Sequence, residues 1–175
     1  MKTTDFLTLL NDGGYDFFIE NSKITVRDSL YFRGSKITSL PEGLTVLGSL
    51  DLSGTQITSL PEGLTVGDSL DLRETQITSL PEGLTAGSLD LSGTQITSLP
   101  EGVKSLYFSE LCRWCVIVFR DQIKIGCERK NNYQWDDFFF QKNFIDTNPS
   151  INPEEYKKIV SAYNYAKTMQ KLFLK

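Results

Sequence analysis

"SLDLSGTQITSLPEGLTVGD", Ser49 to Asp68, runs directly into "SLDLRETQITSLPEGLTAG", Ser69 to Gly87, and looser copies flank the pair. Aligned on the Ser-Leu dipeptide, units begin at Ser29, Ser49, Ser69 and Ser88, with a partial start at Ser105, at spacings of 20, 20, 19 and 17 residues. Each full unit reads S-L-x-[LF]-x-x-[ST]-x-I-T-S-L-P-E-G, and self-similarity at such a fixed period marks a solenoid. Within a unit the apolar rhythm changes. "SLDLS" alternates, so it is expected to form a short strand with Leu50 and Leu52 inward and Ser49, Asp51 and Ser53 outward. "TSLPEGL" then returns the chain, because Pro61 lacks a backbone donor and Gly63 permits a turn. One coil of a right-handed solenoid results.

Such a coil cannot fold alone. Leu50, Leu52, Ile57, Leu60, Leu64 and Val66 each contribute about 1.5–3 kcal/mol on burial, but ordering the backbone costs roughly 1–2 kcal/mol for every residue of the coil. Neighbouring coils must share their inner faces, and the ends must be covered. The chain therefore divides into an N-terminal cap (1–28), the repeats (29–104) and a C-terminal capping module (105–175). In the first part "TDFLTLLNDGG" reads as a short helix capped by Thr4 and ended by Gly13, and "IENSKITV" as a worn repeat.

The pattern L-x-L-x-x-[ST]-x-I-x-x-L-P-x-x-L resembles the bacterial leucine-rich repeat, in its short "LP" class, over the repeats. The resemblance implies short parallel strands side by side on a concave face, with equivalent outward residues in columns about 4.8 Å apart. One column then reads Tyr31, Asp51, Asp71, Asp90, Tyr107, and the next Arg33, Ser53, Arg73, Ser92, Ser109. Ser35, Thr55, Thr75 and Thr94 stand where the family usually has an Asn whose side chain bonds the neighbouring backbone, and they can make only part of that ladder. Bacterial secreted ubiquitin ligases share the repeat class, but their catalytic domain with its Cys-x-Asp motif has no counterpart here.

Two readings of the aspartate column stay open. Charges about 5 Å apart repel by roughly 0.8 kcal/mol in water, so duplication could have copied a merely solvating aspartate. Alternatively Tyr31, Arg33, Asp51, Asp71, Arg73, Asp90 and Tyr107 form a groove for a basic or amide-rich partner, anchored by tyrosines. A metal site is disfavoured, since Ca²⁺ takes six or more oxygens from a shaped loop. Replacing the three aspartates by serine is expected to leave folding intact. Glu42, Glu62, Glu82 and Glu101 make a second acidic column, read as a solvated rim.

Composition bounds the chemistry. Among 175 residues there is no histidine, which removes Ser/His/Asp hydrolysis, Cys/His proteolysis and His-ligated metals. No enzyme activity and no cofactor are expected. The net charge of −4 is uneven: −2 over residues 1–28, −5 over 29–104 and +3 over 105–175. "MKTTDFLTLLNDGG" lacks a signal-peptide core and no long apolar stretch follows, so a cytoplasmic protein is expected. Three cysteines form no disulfide framework. Cys112 and Cys115 have Cys-x-x-Cys spacing, but positions three apart on a strand face opposite sides, so they are read as ordinary cysteines.

In the C-terminal module Val116–Phe119 and Gln122–Ile125 suggest a hairpin. Asn132 is a candidate cap for a helix carrying Trp135, Phe138 and Phe139 at helical spacing. Asn152, Pro153 and Glu155 open a further helix, with Ile159, Tyr163, Ala166 and Met169 on one stripe. "IKIGC" followed by "W..FF" resembles the tails of small leucine-rich-repeat proteins of bacteriophages. What that implies is a phage or prophage protein that binds and inhibits a host protein, such as one of anti-phage defence. Two alternatives stand beside it: an acidic nucleic-acid mimic, and a nucleic-acid binder working through Arg129, Lys130, Tyr133 and Trp135 of the basic tail. The fold class expected is an α/β solenoid of leucine-rich repeats with an N-terminal helical cap and a C-terminal α+β cap. The function expected is non-enzymatic protein binding through the concave face.

Overall fold

The computed structural model describes residues 3–108, 115–120, 122–125, 128–130, 134 and 151–174. They fall into two compact units, Met1–Lys104 and Ser105–Lys175. The first is a β-solenoid of about four turns with mostly parallel strands. Its elements are helix α1 (Thr3–Asp12) and strands β1 (Phe17–Glu20), β2 (Lys23–Val26), β3 (Leu30–Tyr31), β4 (Thr45–Val46), β5 (Leu50–Asp51), β6 (Thr65–Asp71) and β7 (Thr85–Asp90).

Two parallel ladders run up the coils. One joins Thr25–Val26 to Thr45–Val46, Thr65–Val66 and Thr85–Ala86, and the other joins Leu30–Tyr31 to Leu50–Asp51, Leu70–Asp71 and Leu89–Asp90. The expected strand at the Ser-Leu pair is present. The strand position at Thr45–Val46, Thr65–Val66 and Thr85–Ala86 is an addition, since the sequence alone assigns no strand after the "TSLPEGL" return. β6 and β7 merge both strand positions, and the shortening from 20 to 19 residues is absorbed by a register shift between Val66 and Ser69. Inside, Leu50, Leu52, Ile57, Leu64, Leu70, Leu72, Ile77 and Leu84 are fully buried, the shared core that a lone coil lacks.

The amino-terminal part differs from expectation in two details. Helix α1 begins at Thr3, so Thr4 lies inside it rather than capping it, and the Thr8 hydroxyl donates to the Thr4 carbonyl. Phe6 and Leu10 are its buried residues, and the Phe6 ring packs edge-on against Phe32. The "worn repeat" is half a coil: Thr25–Val26 takes a repeat strand position, while β1 folds back on β2 as an antiparallel hairpin. The hairpin turns through Asn21 and Ser22 at φ 50° and 63°, the left-handed pair of a type I′ turn.

The second unit holds antiparallel strands β8 (Leu106–Phe108), β9 (Val116–Val118), β10 (Ile123–Ile125) and β11 (Glu128–Lys130), followed by helix α2 (Pro153–Gln170) and a 3₁₀ turn at Lys171–Leu174. The hairpin read from Val116–Phe119 and Gln122–Ile125 is the β9–β10 pair. Helix α2 starts at a full capping box: Asn152 Oδ1 accepts from the Glu154 and Glu155 N–H groups, and the Glu155 carboxylate accepts from the Asn152 N–H. Ile159, Ala162, Tyr163 and Ala166 face its core. The Gln170 amide donates to the Phe119 carbonyl and Arg120 to the Phe173 carbonyl, tying helix and strands together. Ser109, Cys112, Cys127, Asn132, Tyr133, Trp135, Phe138 and Phe139 lie outside the described residues.

Candidate functional site

The strand register sets Tyr31 beside Asp51, Asp51 beside Asp71 and Asp71 beside Asp90. These four candidates share one column. Tyr107 belongs to the second unit, on β8, where it pairs with Ile117. Arg33 and Tyr31 are exposed, Tyr31 by 65 %. Asp51, Asp71 and Arg73 are half-buried and Asp90 is buried.

The aspartates are held by their own coils. Asp51 Oδ1 accepts the Ser53 N–H at 2.9 Å and the Ser53 hydroxyl at 2.6 Å. Asp90 Oδ1 accepts the Ser92 N–H at 3.0 Å and its hydroxyl at 2.7 Å. Asp71 Oδ1 accepts the Arg73 N–H at 3.0 Å, and Asp71 Oδ2 takes the Arg73 guanidinium at 2.8 Å. Each carboxylate thus ends its strand with an Asx turn over the residue two positions on. This local duty explains an aspartate between the same two leucines in every inner copy. Ser53, expected on the exposed side, is buried, with its hydroxyl on the Asp51 carboxylate.

After the Asx turn comes a tight turn closed by an N–H to carbonyl bond, from Ser35 to Phe32, Thr55 to Leu52, Thr75 to Leu72 and Thr94 to Leu91. Its third residue is left-handed in every coil. Three copies place Gly34, Gly54 and Gly93 there, and one places Glu74, at φ 56°. A side chain in that region costs about 1–2 kcal/mol relative to glycine. The third coil therefore departs from the other three at Glu74, while Arg73 shares its position with Arg33 of the first coil. Arg73 lies between two carboxylates, its Nε being 3.7 Å from Asp90 Oδ2. Burial raises the proton affinity of Asp90, aided by the charge of Asp71 and opposed by the Ser92 hydrogen bonds and Arg73.

The hydroxyl columns divide the remaining work. Thr55, Thr75 and Thr94 donate to the carbonyls of Leu52, Leu72 and Leu91 in their own coils, so they make no rung between coils. The serines of the Ser-Leu pair supply the rungs: Ser29 Oγ accepts the Ser49 N–H, Ser49 Oγ the Ser69 N–H, and Ser69 Oγ meets Ser88 Oγ at 2.8 Å. Sequence reasoning missed this ladder and the strain at Glu74. The only signal for the latter was the Glu that stands where the other copies have Gly. Glu42, Glu62, Glu82 and Glu101 are all exposed. Among the described residues no group of three or more Cys, Asp or Glu side chains is arranged to hold a metal ion. No described helix is long and apolar enough to cross a membrane.

Comparison of the chain with protein-family models, curated proteins and solved structures finds no match.

Proposed function

We propose that the chain is a protein-binding module of the leucine-rich-repeat class, working without enzyme chemistry through the outward face of β3, β5, β6 and β7. In this reading helix α1 and the Ser105–Lys175 unit are its caps. The partner is a host protein, and the concrete version is a phage or prophage inhibitor acting in the bacterial cytoplasm. The observation that carries the reading is the break in an otherwise copied repeat. Glu74 stands in a left-handed conformation at the turn position where the other three coils keep Gly34, Gly54 and Gly93. Backbone strain of this kind gathers where a surface is used. Exposed Tyr31 and Arg33 two coils away on the same ladder supply an aromatic and a charged anchor.

The face is mixed rather than acidic, because Arg73 offsets part of the charge of Asp71 and Asp90. That weighs against a nucleic-acid mimic, which needs an uninterrupted run of negative charge. The test is parallel affinity purification from bacterial lysate with the wild-type chain and with Tyr31→Ser/Arg33→Ser, whose side chains are exposed. A protein retained by the first and lost from the second is the expected result. An identical set of retained proteins on both would remove the face as the binding site.

A further inference from the structure

We propose that the outer edge of β1 is a second binding surface, and that its occupant is β1 of another copy of this chain, paired antiparallel. In the β1–β2 hairpin the two-residue turn makes Glu20 and Lys23 a hydrogen-bonded pair, and hydrogen-bonded pairs recur at every second position. The Arg27 N–H to Asp16 carbonyl bond of 2.8 Å continues the series. Phe18 and Thr25 are therefore also hydrogen-bonded, and the N–H and C=O groups of Phe17 and Ile19 point away from β2. No described strand pairs with that edge.

The side chains there are apolar. Ile19 pairs with buried Ile24 in register yet is 52 % exposed, and Phe18 is 40 % exposed. A bare apolar edge of this type is a template for another strand. The short segment is self-complementary. With the two-fold axis at Phe18, Phe17 of each copy faces Ile19 of the other and four backbone hydrogen bonds form. The two Phe18 rings then stand opposite one another.

One cation tempers the charge in the same register. Glu20 falls opposite Asp16 of the second copy. Arg27 lies there, 3.3 Å from Asp16 Oδ2 and 5.2 Å from the Phe18 ring centre. The guanidinium beside Asp16 offsets the repulsion between the two facing carboxylates. Among the described residues Glu20 has no ion pair within its own chain.

Sedimentation of the full chain up to about 1 mM is expected to show a monomer–dimer equilibrium. Ile19→Pro removes an outward N–H and keeps every hairpin hydrogen bond, so it is expected to weaken the dimer about tenfold or more with an unchanged melting curve. Phe18→Cys tests the register without relying on that fold. Facing non-hydrogen-bonded positions lie about 4.5 Å apart, within disulfide reach, so mild oxidation should link the two introduced thiols. A wild type monomeric throughout, a dimer indifferent to Ile19→Pro, or crosslinks that avoid the introduced thiols would each overturn the proposal. So would an edge whose amides gain exchange protection only when a different protein is added, since that assigns it to a foreign strand.

Discussion

The solenoid and the Ser105–Lys175 unit solve the same problem by different means. In the solenoid the strands of each coil meet their own equivalents about twenty positions away: Ser49 bonds Ser29, and Leu70 lies beside Leu50 and Leu89. In the second unit the joining bonds link unlike groups distant in sequence, such as Gln170 to Phe119 and Arg120 to Phe173. A repeated contact is cheap to specify, because one good solution serves all coils, but an error in one coil passes to both neighbours. A unique contact must be specified once for each pair, and damage to it stays local.

The largest expected effect tests that contrast. Leu70→Ala empties a fully buried position and should cost about 2–5 kcal/mol. Hydrogen exchange should speed up in β5 and β7 as well as β6. Ile159→Ala, of similar cost, should open α2, β9 and β10 alone. Equal spreading in both variants would erase the difference between the units. Next comes Gly67→Ala, whose added carbon would approach the Leu47 carbonyl oxygen to 2.1 Å. Backbone cannot yield as a side chain would, and overpacking of this kind costs about 1–3 kcal/mol. A denaturant midpoint unchanged from wild type would show that the coils are not in close contact there. On the other side of the comparison, Asn152→Ala deletes the α2 cap and should cost about 1 kcal/mol. Amide protection should fall in the first turn of α2 with none lost in β6.

These variants also mark what could be read from residues alone. The column order Tyr31, Asp51, Asp71, Asp90 follows from spacing, because a stacked coil carries its register in its length. Helix α2 follows from Asn152, Pro153 and Glu155, a local signal that needs no tertiary knowledge. The duties of the hydroxyls do not follow. Ser49 and Thr55 are both small hydroxyl residues in copied positions, yet one bonds the next coil and the other its own, since backbone direction at each point decides. Nor does the burial of Asp90 follow, for its sequence surroundings match those of half-buried Asp51.

Within the solenoid, Glu74→Gly makes the third coil like its neighbours. It relieves a left-handed side chain while adding freedom to the unfolded chain, for a net gain of about 0.5 kcal/mol. A rise in melting temperature together with loss of the partner retained by wild type would show that the strain serves binding. A fall would mean that the Glu74 side chain stabilises the turn by contacts that outweigh its backbone cost.

The smallest expected effect is a slope with pH, and it comes from Asp90. Burial holds the Asp90 proton more tightly in the folded chain than in the unfolded one, whose carboxylate keeps the ordinary value of 3.8. Between 3.8 and the higher folded value the native state binds more protons than the unfolded state. Stability from this group must then fall as pH rises through that window and level off above it. Ser92 and Arg73 oppose burial at this carboxylate, so the slope should be shallow in wild type. It should steepen in Arg73→Ser, which removes a cation 3.7 Å away, and vanish in Asp90→Asn. Urea midpoints for the three chains across the acid range provide the measurement. A wild-type contribution that instead rises with pH would mean that the Ser92 hydrogen bonds outweigh burial at this carboxylate.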